Sequence, residues 1–203
     1  LACGCVCSSC LSPLVARKGD IRAHYFAHHS RESCETAFET SIHLMSKQLI
    51  EEAKFIALPA LSLSASVMTL DGTEISDSVV VTEAKTQSLS EVRLEEGVHD
   101  FRPDIIGYYK GRRILIEIFV AHKVGSKKLE KIRNKSEVAL EVDLSKVNRF
   151  IGKDELYEIV VKGVEKKKWL SLPSAVQKKR ILRERIEAKL KALSEKQERE
   201  KAK

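Results

Sequence analysis

FRPDIIGYYKGRRILIEIFVAHK, residues 101–123, decides how this chain is read. Two runs rich in β-branched and aromatic residues, near 102–106 and 113–120, flank Gly107-Tyr108-Tyr109-Lys110-Gly111, so the stretch predicts two strands closed by a hairpin loop over 107–111. Glu117 sits inside the apolar run ILIEIFV, where a buried carboxylate costs several kcal/mol unless it is paired, protonated or bound to a metal. Closure of the hairpin would bring Asp104 beside Glu117. Two neighbouring carboxylates are the hard oxygen donors that Mg²⁺ takes, with its remaining positions left to water and phosphate oxygens. The competing reading pairs Glu117 with Arg102 or Arg113 in a structural salt bridge.

Outward from this stretch, residues 41–56 (SIHLMSKQLIEEAKFI) carry Ile42, Met45, Leu49, Ala53 and Ile56 at helical spacing and predict a helix that Pro59 terminates. Residues 61–100 read as short strands and turns, with Asp71-Gly72 a turn signal. Residues 126–135 and 154–163 read as helices and 139–144 as a strand. The sum is a mixed α/β core.

Residues 1–38 hold all five cysteines but little apolar periodicity, so a metal rather than a core would organise them. Cys7-Ser-Ser-Cys10 is a zinc knuckle spacing whose partners must return from a loop of modest length. The set favoured is Cys7, Cys10, His28 and Cys34, with Cys5 and His24 in reserve, against a reading in which the cysteines are buried thiols.

The 203 residues carry a net charge of +7, and residues 165–203 hold 14 Lys or Arg against six Glu, so the excess lies in the tail. That tail reads as a basic helix with Val176, Ile181, Ile186, Leu190 and Leu193 as a sparse apolar stripe, suited to docking on the body, a second copy or a protein partner. Lys178, Lys179, Arg180, Arg183 and Arg185 would meet an acidic polymer, nucleic acid before membrane and DNA before RNA. No apolar run is long enough to cross a bilayer and no secretory signal is seen, so a cytoplasmic location is expected.

Taken in order, CxxC (7–10), ARKG (16–19), YFAH (25–28), ETSIHLMSK (39–47), RPDI (102–105), IEI (116–118) and EVDL (141–144) resemble the CoiA-like competence protein family. Its members are similar in pattern to PD-(D/E)xK nucleases preceded by a zinc-binding segment. The resemblance implies a restriction-endonuclease-like mixed sheet over 39–164, flanked by the zinc segment (1–38) and the basic helix (165–203). It implies a DNA nuclease in which Asp104 and Glu117 hold Mg²⁺ or Mn²⁺, while zinc is structural. Glu39, His43 and Lys47 match a family spacing on the first core helix. They span about 12 Å, so all three cannot reach one metal. The alternative for Glu39 is a capping box with Thr36. The superfamily's lysine, two residues beyond the glutamate, is replaced by Phe119. Lys123, His122 and Lys47 are the candidate substitutes, and a protein that binds nucleic acid without cutting it is the alternative function. Lys123 lies about 20 Å along an extended strand from Glu117 and needs a turn to fold it back.

Overall fold

The computed structural model describes residues 2–19, 24–30, 34, 36–148 and 150–201. At its centre lies a five-stranded mixed sheet of β8 (Glu91–Leu94), β9 (Ile105–Tyr109), β10 (Arg112–Phe119), β11 (Ala139–Asp143) and β12 (Lys167–Ser171), in the order β12-β11-β10-β9-β8. Only β10 and β11 run parallel, and parallel neighbours need a crossover, which α2 (Ser126–Asn134) supplies. The apolar residues of β10 separate by parity. Ile114, Ile116 and Ile118 join one core with Ile42, Leu49 and Ile50 of α1 (Ala37–Ala53), while Leu115 joins Ile132 of α2 in a second. The sheet is therefore covered on both faces, and Glu117 shares the parity of Leu115, on the α2 side.

The hairpin is tighter than the sequence predicts. Its turn is Lys110-Gly111, both at positive φ (47° and 71°), as a two-residue turn matched to strand twist requires, and Tyr109 pairs with Arg112. Gly107 lies inside β9: a Cβ there would sit 2.9 Å from Leu89 Cδ2 and 3.2 Å from Ile114 Cγ2, so this glycine serves packing, not turning.

α1 starts and stops earlier than expected. Lys54 adopts a left-handed conformation (φ 53°) and donates its amide to Ile50 O, and Phe55–Leu58 becomes β4, paired with β7 (Lys85–Ser88). Ile56 is buried through that strand rather than through the helix. Thr36 makes no side-chain capping bond, so the capping box with Glu39 does not form.

β5 (Leu61–Met68) and β6 (Glu74–Thr82) form a hairpin around Asp71-Gly72. α3 (Lys153–Tyr157) runs into a π-helical turn, Glu158–Lys162, that buries Val160 and Val161. The region from Glu165 onward leads first into the edge strand β12, whose Lys167 is buried on one face of the sheet and Leu170 on the other, and only then into the helix α4 (Pro173–Lys201). α4 packs on β5 and β6 through Leu182 and Ile186, whereas Val176 is 75% exposed. The apolar stripe thus runs one residue away from Ile181, and its buried part is consumed within the chain. No helix among the described residues is long and apolar enough to cross a membrane. At the amino-terminal end, β1 (Ala2–Val6), β2 (Pro13–Arg17) and β3 (Tyr25–His28) form a small antiparallel sheet.

Candidate functional site

The three amino-terminal strands have no apolar interior to speak of, since Cys7 alone is buried among the described residues up to Thr36. Local hydrogen bonds shape the knuckle instead. Cys7 N donates to Ser12 O at 2.9 Å, Leu11 N to Cys7 O at 2.9 Å, and Ser9 N to Cys7 Sγ at 3.4 Å, with Leu11 at φ 60° closing the turn. Pairing of β2 with β3 then carries His28 back, 3.3 Å from Cys10 Sγ through Nε2. Cys34 arrives just before α1. The ligand atoms of Cys7, Cys10, His28 and Cys34 lie within 4.8 Å of one another. A tetrahedral zinc with arms of about 2.0–2.3 Å has ligand–ligand edges of roughly 3.5–3.8 Å, so the four donors fit such an ion. Hydrogen bonds from the Ser12 side chain and amide hold the Cys10 thiol down to about 6, the thiolate form a metal takes. His24 and His29 are exposed and outside this set, and Cys5 is half-buried on β1. Ser9 Oγ meets Thr36 Oγ1 at 2.5 Å, which docks the knuckle on the start of α1.

That same helix reaches the carboxylates. Ile105 of β9 pairs with Ile116 of β10, so Asp104, one residue earlier, stands beside Glu117. Its Oδ2 accepts from Ile118 N at 2.8 Å and lies 3.1 Å from His43 Nε2 of α1. Glu117 is 4% exposed. Lys128 Nζ, from the first turn of α2, is 2.8 Å from each of its oxygens, but the angles give a hydrogen bond to Oε2 alone, and Oε1 is buried without one. Neither Arg102 nor Arg113 is the partner: Arg113 binds Glu137, at 3.0 Å through Nε, and His99, at 3.1 Å through Nη2.

Environment separates the two acids. Burial drives Glu117 up to about 7 against the pull of Lys128, and Asp104 adds to the rise. Burial also raises Asp104, but His43, the Ile118 amide and Lys128 outweigh it and hold that carboxyl below its ordinary range. One acid is ionised and the other poised near neutrality. The orphaned Glu117 Oε1 and the adjacent Asp104 are a donor set that suits a hard divalent cation, which takes one or two carboxylates and keeps several waters. Among the described residues, the cysteine cluster is the group whose His, Cys, Asp or Glu ligand atoms already stand close enough to hold an ion by themselves, so the carboxylate pair is an open, two-armed site.

The remaining predicted residues scatter. Lys47, 3% exposed, is bound by Glu95, whose amide donates to Asp104 O, so it stays near the pair with its charge neutralised there. Glu39 lies one turn before His43, half-buried, with no contact to either carboxylate among the described residues. Lys123 lies over the Phe119 ring, 5.4 Å from its centroid, and His122 is exposed. Lys179, Arg180, Arg183 and Arg185 are exposed on α4 and Lys178 is half-buried there. The register Ala139↔Ser171 puts the start of α4 at the end of β11 opposite the carboxylates, so these cations do not line the pair. Lys128 and Glu95 were missed by the sequence reading. Their only signal was helical spacing for Lys128 and none for Glu95, whose left-handed backbone (φ 51°) turns it toward Lys47.

The model for the competence protein CoiA, N-terminal domain, matches residues 3–37, the segment that carries all four metal-cluster residues. Over that segment the chain is similar to the CoiA N-terminal domain. No curated protein and no solved structure matches the chain.

Proposed function

From this CoiA-like start and the carboxylate pair behind it, we propose that the protein is a divalent-cation-dependent nuclease with a PD-(D/E)xK-type core, cutting DNA phosphodiesters in DNA uptake, recombination or defence. The observation that carries the reading is the buried Glu117, paired with a lysine yet left with an orphaned oxygen, in register beside Asp104. A bound Mg²⁺ or Mn²⁺ would supply an activated water and offset the charge that develops on the phosphate. Asp104 and Glu117 would hold it. Fixed by Ile118 N and His43, Asp104 keeps one oxygen in a set direction. Glu117, held near neutrality, would take its ionised form as a ligand of that cation.

Lys128 takes the part that the superfamily pattern gives to a lysine at the position of Phe119. It comes from the helix above rather than from the strand, touches the same glutamate, and places its ammonium where negative charge would grow on the phosphate. The cysteine cluster, with zinc, braces the α1 start that carries His43.

The test is incubation of the purified chain with labelled linear, single-stranded and branched DNA in Mg²⁺ or Mn²⁺, beside Glu117→Gln. Cleavage that needs the cation and vanishes in the variant is expected. DNA left intact but shifted on a gel would favour a binding protein with the same core.

A further inference from the structure

We propose that Glu141 and Lys168 form a seat for a backbone phosphate of the bound nucleic acid, one strand over from the carboxylate pair. The identity of the polymer rests on the nuclease reading above. Glu117 pairs in register with Glu141 across the parallel β10 and β11, and Glu141 with Lys168 across β11 and β12. Residues level with one another on adjacent strands share a face. The three therefore form a row on the α2 side, where Leu115 and Ala139, one step down, already pack together.

Glu141 is 2% exposed, whereas the Lys168 side chain is 53% exposed and reaches Glu141 Oε1 with Nζ at 2.6 Å. The angle lies outside hydrogen-bond geometry, so Oε1 has no hydrogen-bond partner. The buried carboxylate thus holds the ammonium in place, and at least two of its three protons make no hydrogen bond to a protein group among the described residues. Replacing a buried ion pair with apolar side chains is commonly neutral or stabilising, so stability alone does not call for this one. What the pair does, and apolar residues would not, is fix a cation level with Glu117 on an open sheet edge.

The charge count agrees. Glu95 and Lys47 cancel in their ion pair, which leaves Asp104, Glu117, Glu141 and Asp143 as four carboxylates at this end of the sheet. Against them stand the ammonium groups of Lys128 and Lys168 and that of Lys123, whose field, like that of Lys168, lowers Asp143. With a divalent cation the end of the sheet carries about one net positive charge, the complement of one phosphodiester. A lysine is a point charge and reads no base, so the seat positions a strand without specifying sequence.

The experiment is anisotropy of a labelled single-stranded oligonucleotide with the full chain in Ca²⁺, across a salt series, for wild type, Lys168→Gln, Glu141→Gln and the apolar double variant Lys168→Met/Glu141→Met. For Lys168→Gln the slope of log affinity against log salt is expected to fall by about 0.7, with a several-fold loss of affinity at moderate salt. The double variant should fold as well as wild type and show the same loss, while Glu141→Gln, which frees the lysine without removing it, keeps the slope and loses about twofold. Wild-type slopes in both Lys168 variants would overturn the seat and leave a structural ion pair, as would a wild type that binds no oligonucleotide. A slope that falls in a protein that never cleaves supports the seat and removes only the nuclease reading.

Discussion

Glu117 is expensive where it stands, and its surroundings show what offsets the cost. Lys128 favours its charged form through one hydrogen bond, and removing that lysine would leave a buried carboxyl that takes up a proton. Lys128→Ala should therefore lower cleavage by about 10²-fold, the usual effect of deleting one group that stabilises developing charge. It should not weaken Mn²⁺ binding, because the ammonium competes with the cation for the same carboxylate. Stopped cleavage assays and a Mn²⁺ titration separate the two effects, and parallel losses in both would mean that Lys128 only shapes the site.

A second buried charge gives a pH prediction. Lys167 Nζ donates to Ala57 O at 3.0 Å and Val161 O at 3.2 Å, and burial brings it down from 10.5 to about 7 against the opposing field of Glu165. Between those values the unfolded chain holds a proton that the folded chain has released, so stability rises with pH across that window, by at most about 1.4 kcal/mol per pH unit. Lys167→Met should flatten that rise in denaturant melts at pH 7 to 9. An unchanged slope would show that Lys167 stays charged in the fold.

At the scale of elements, the amino-terminal sheet and the central one are held by different means. β1–β3 bury little, so a metal held by the cysteine cluster would supply their order, and free energy of ligation would become free energy of folding. Chelation, or Cys34→Ser, is expected to expose the amides of residues 2–19 to hydrogen exchange while β9–β11 stay protected. Equal protection with and without chelator would contradict a metal-built segment. Gly107 makes the converse point inside the core: Gly107→Ala forces a methyl against Leu89 and Ile114, and a loss of about 1–3 kcal/mol in denaturant midpoint is expected.

These elements also show what could be read beforehand. The knuckle spacing, the helix of Ile42 and Leu49, and the strand around Glu117 were legible because each is a local period or a fixed ligand distance. Glycine was ambiguous. Gly107 and Gly111 look alike in sequence, yet one fills a tight crossing of side chains and the other a positive-φ turn. The end of α1 was misread because the apolar residues of β4 continue the helical pattern, and only pairing with β7 decides between them.

For the whole molecule, long-range placement was the illegible part. Lys128, Glu95 and Lys168 reach the carboxylate end of the sheet from three separate elements, and no spacing along the chain announces it. The tail was legible in charge but not in position. Its buried face, Leu182 and Ile186, docks on the β5–β6 hairpin, and Lys189 reaches Ser76 O at 3.0 Å. Leu182→Ala should cost about 2 kcal/mol or more, and Val176→Ser, on the exposed first turns, within about 0.5 kcal/mol of nothing. Similar costs for both would mean that Val176 is covered by a second copy or a partner.

The most direct measurement is the Mn²⁺-dependent cleavage rate of three proteins in one assay: wild type, Lys128→Met, and Lys128→Met/Phe119→Lys. The β10 position of Phe119 shares its face with Glu117, so a lysine there can stand in for the one lost from α2. Cleavage by wild type, a fall of about 10²-fold in the single variant and a partial recovery in the double one are expected. Full activity in Lys128→Met, or no cation-dependent cleavage by wild type on any DNA, would contradict a nuclease site built on Asp104, Glu117 and Lys128.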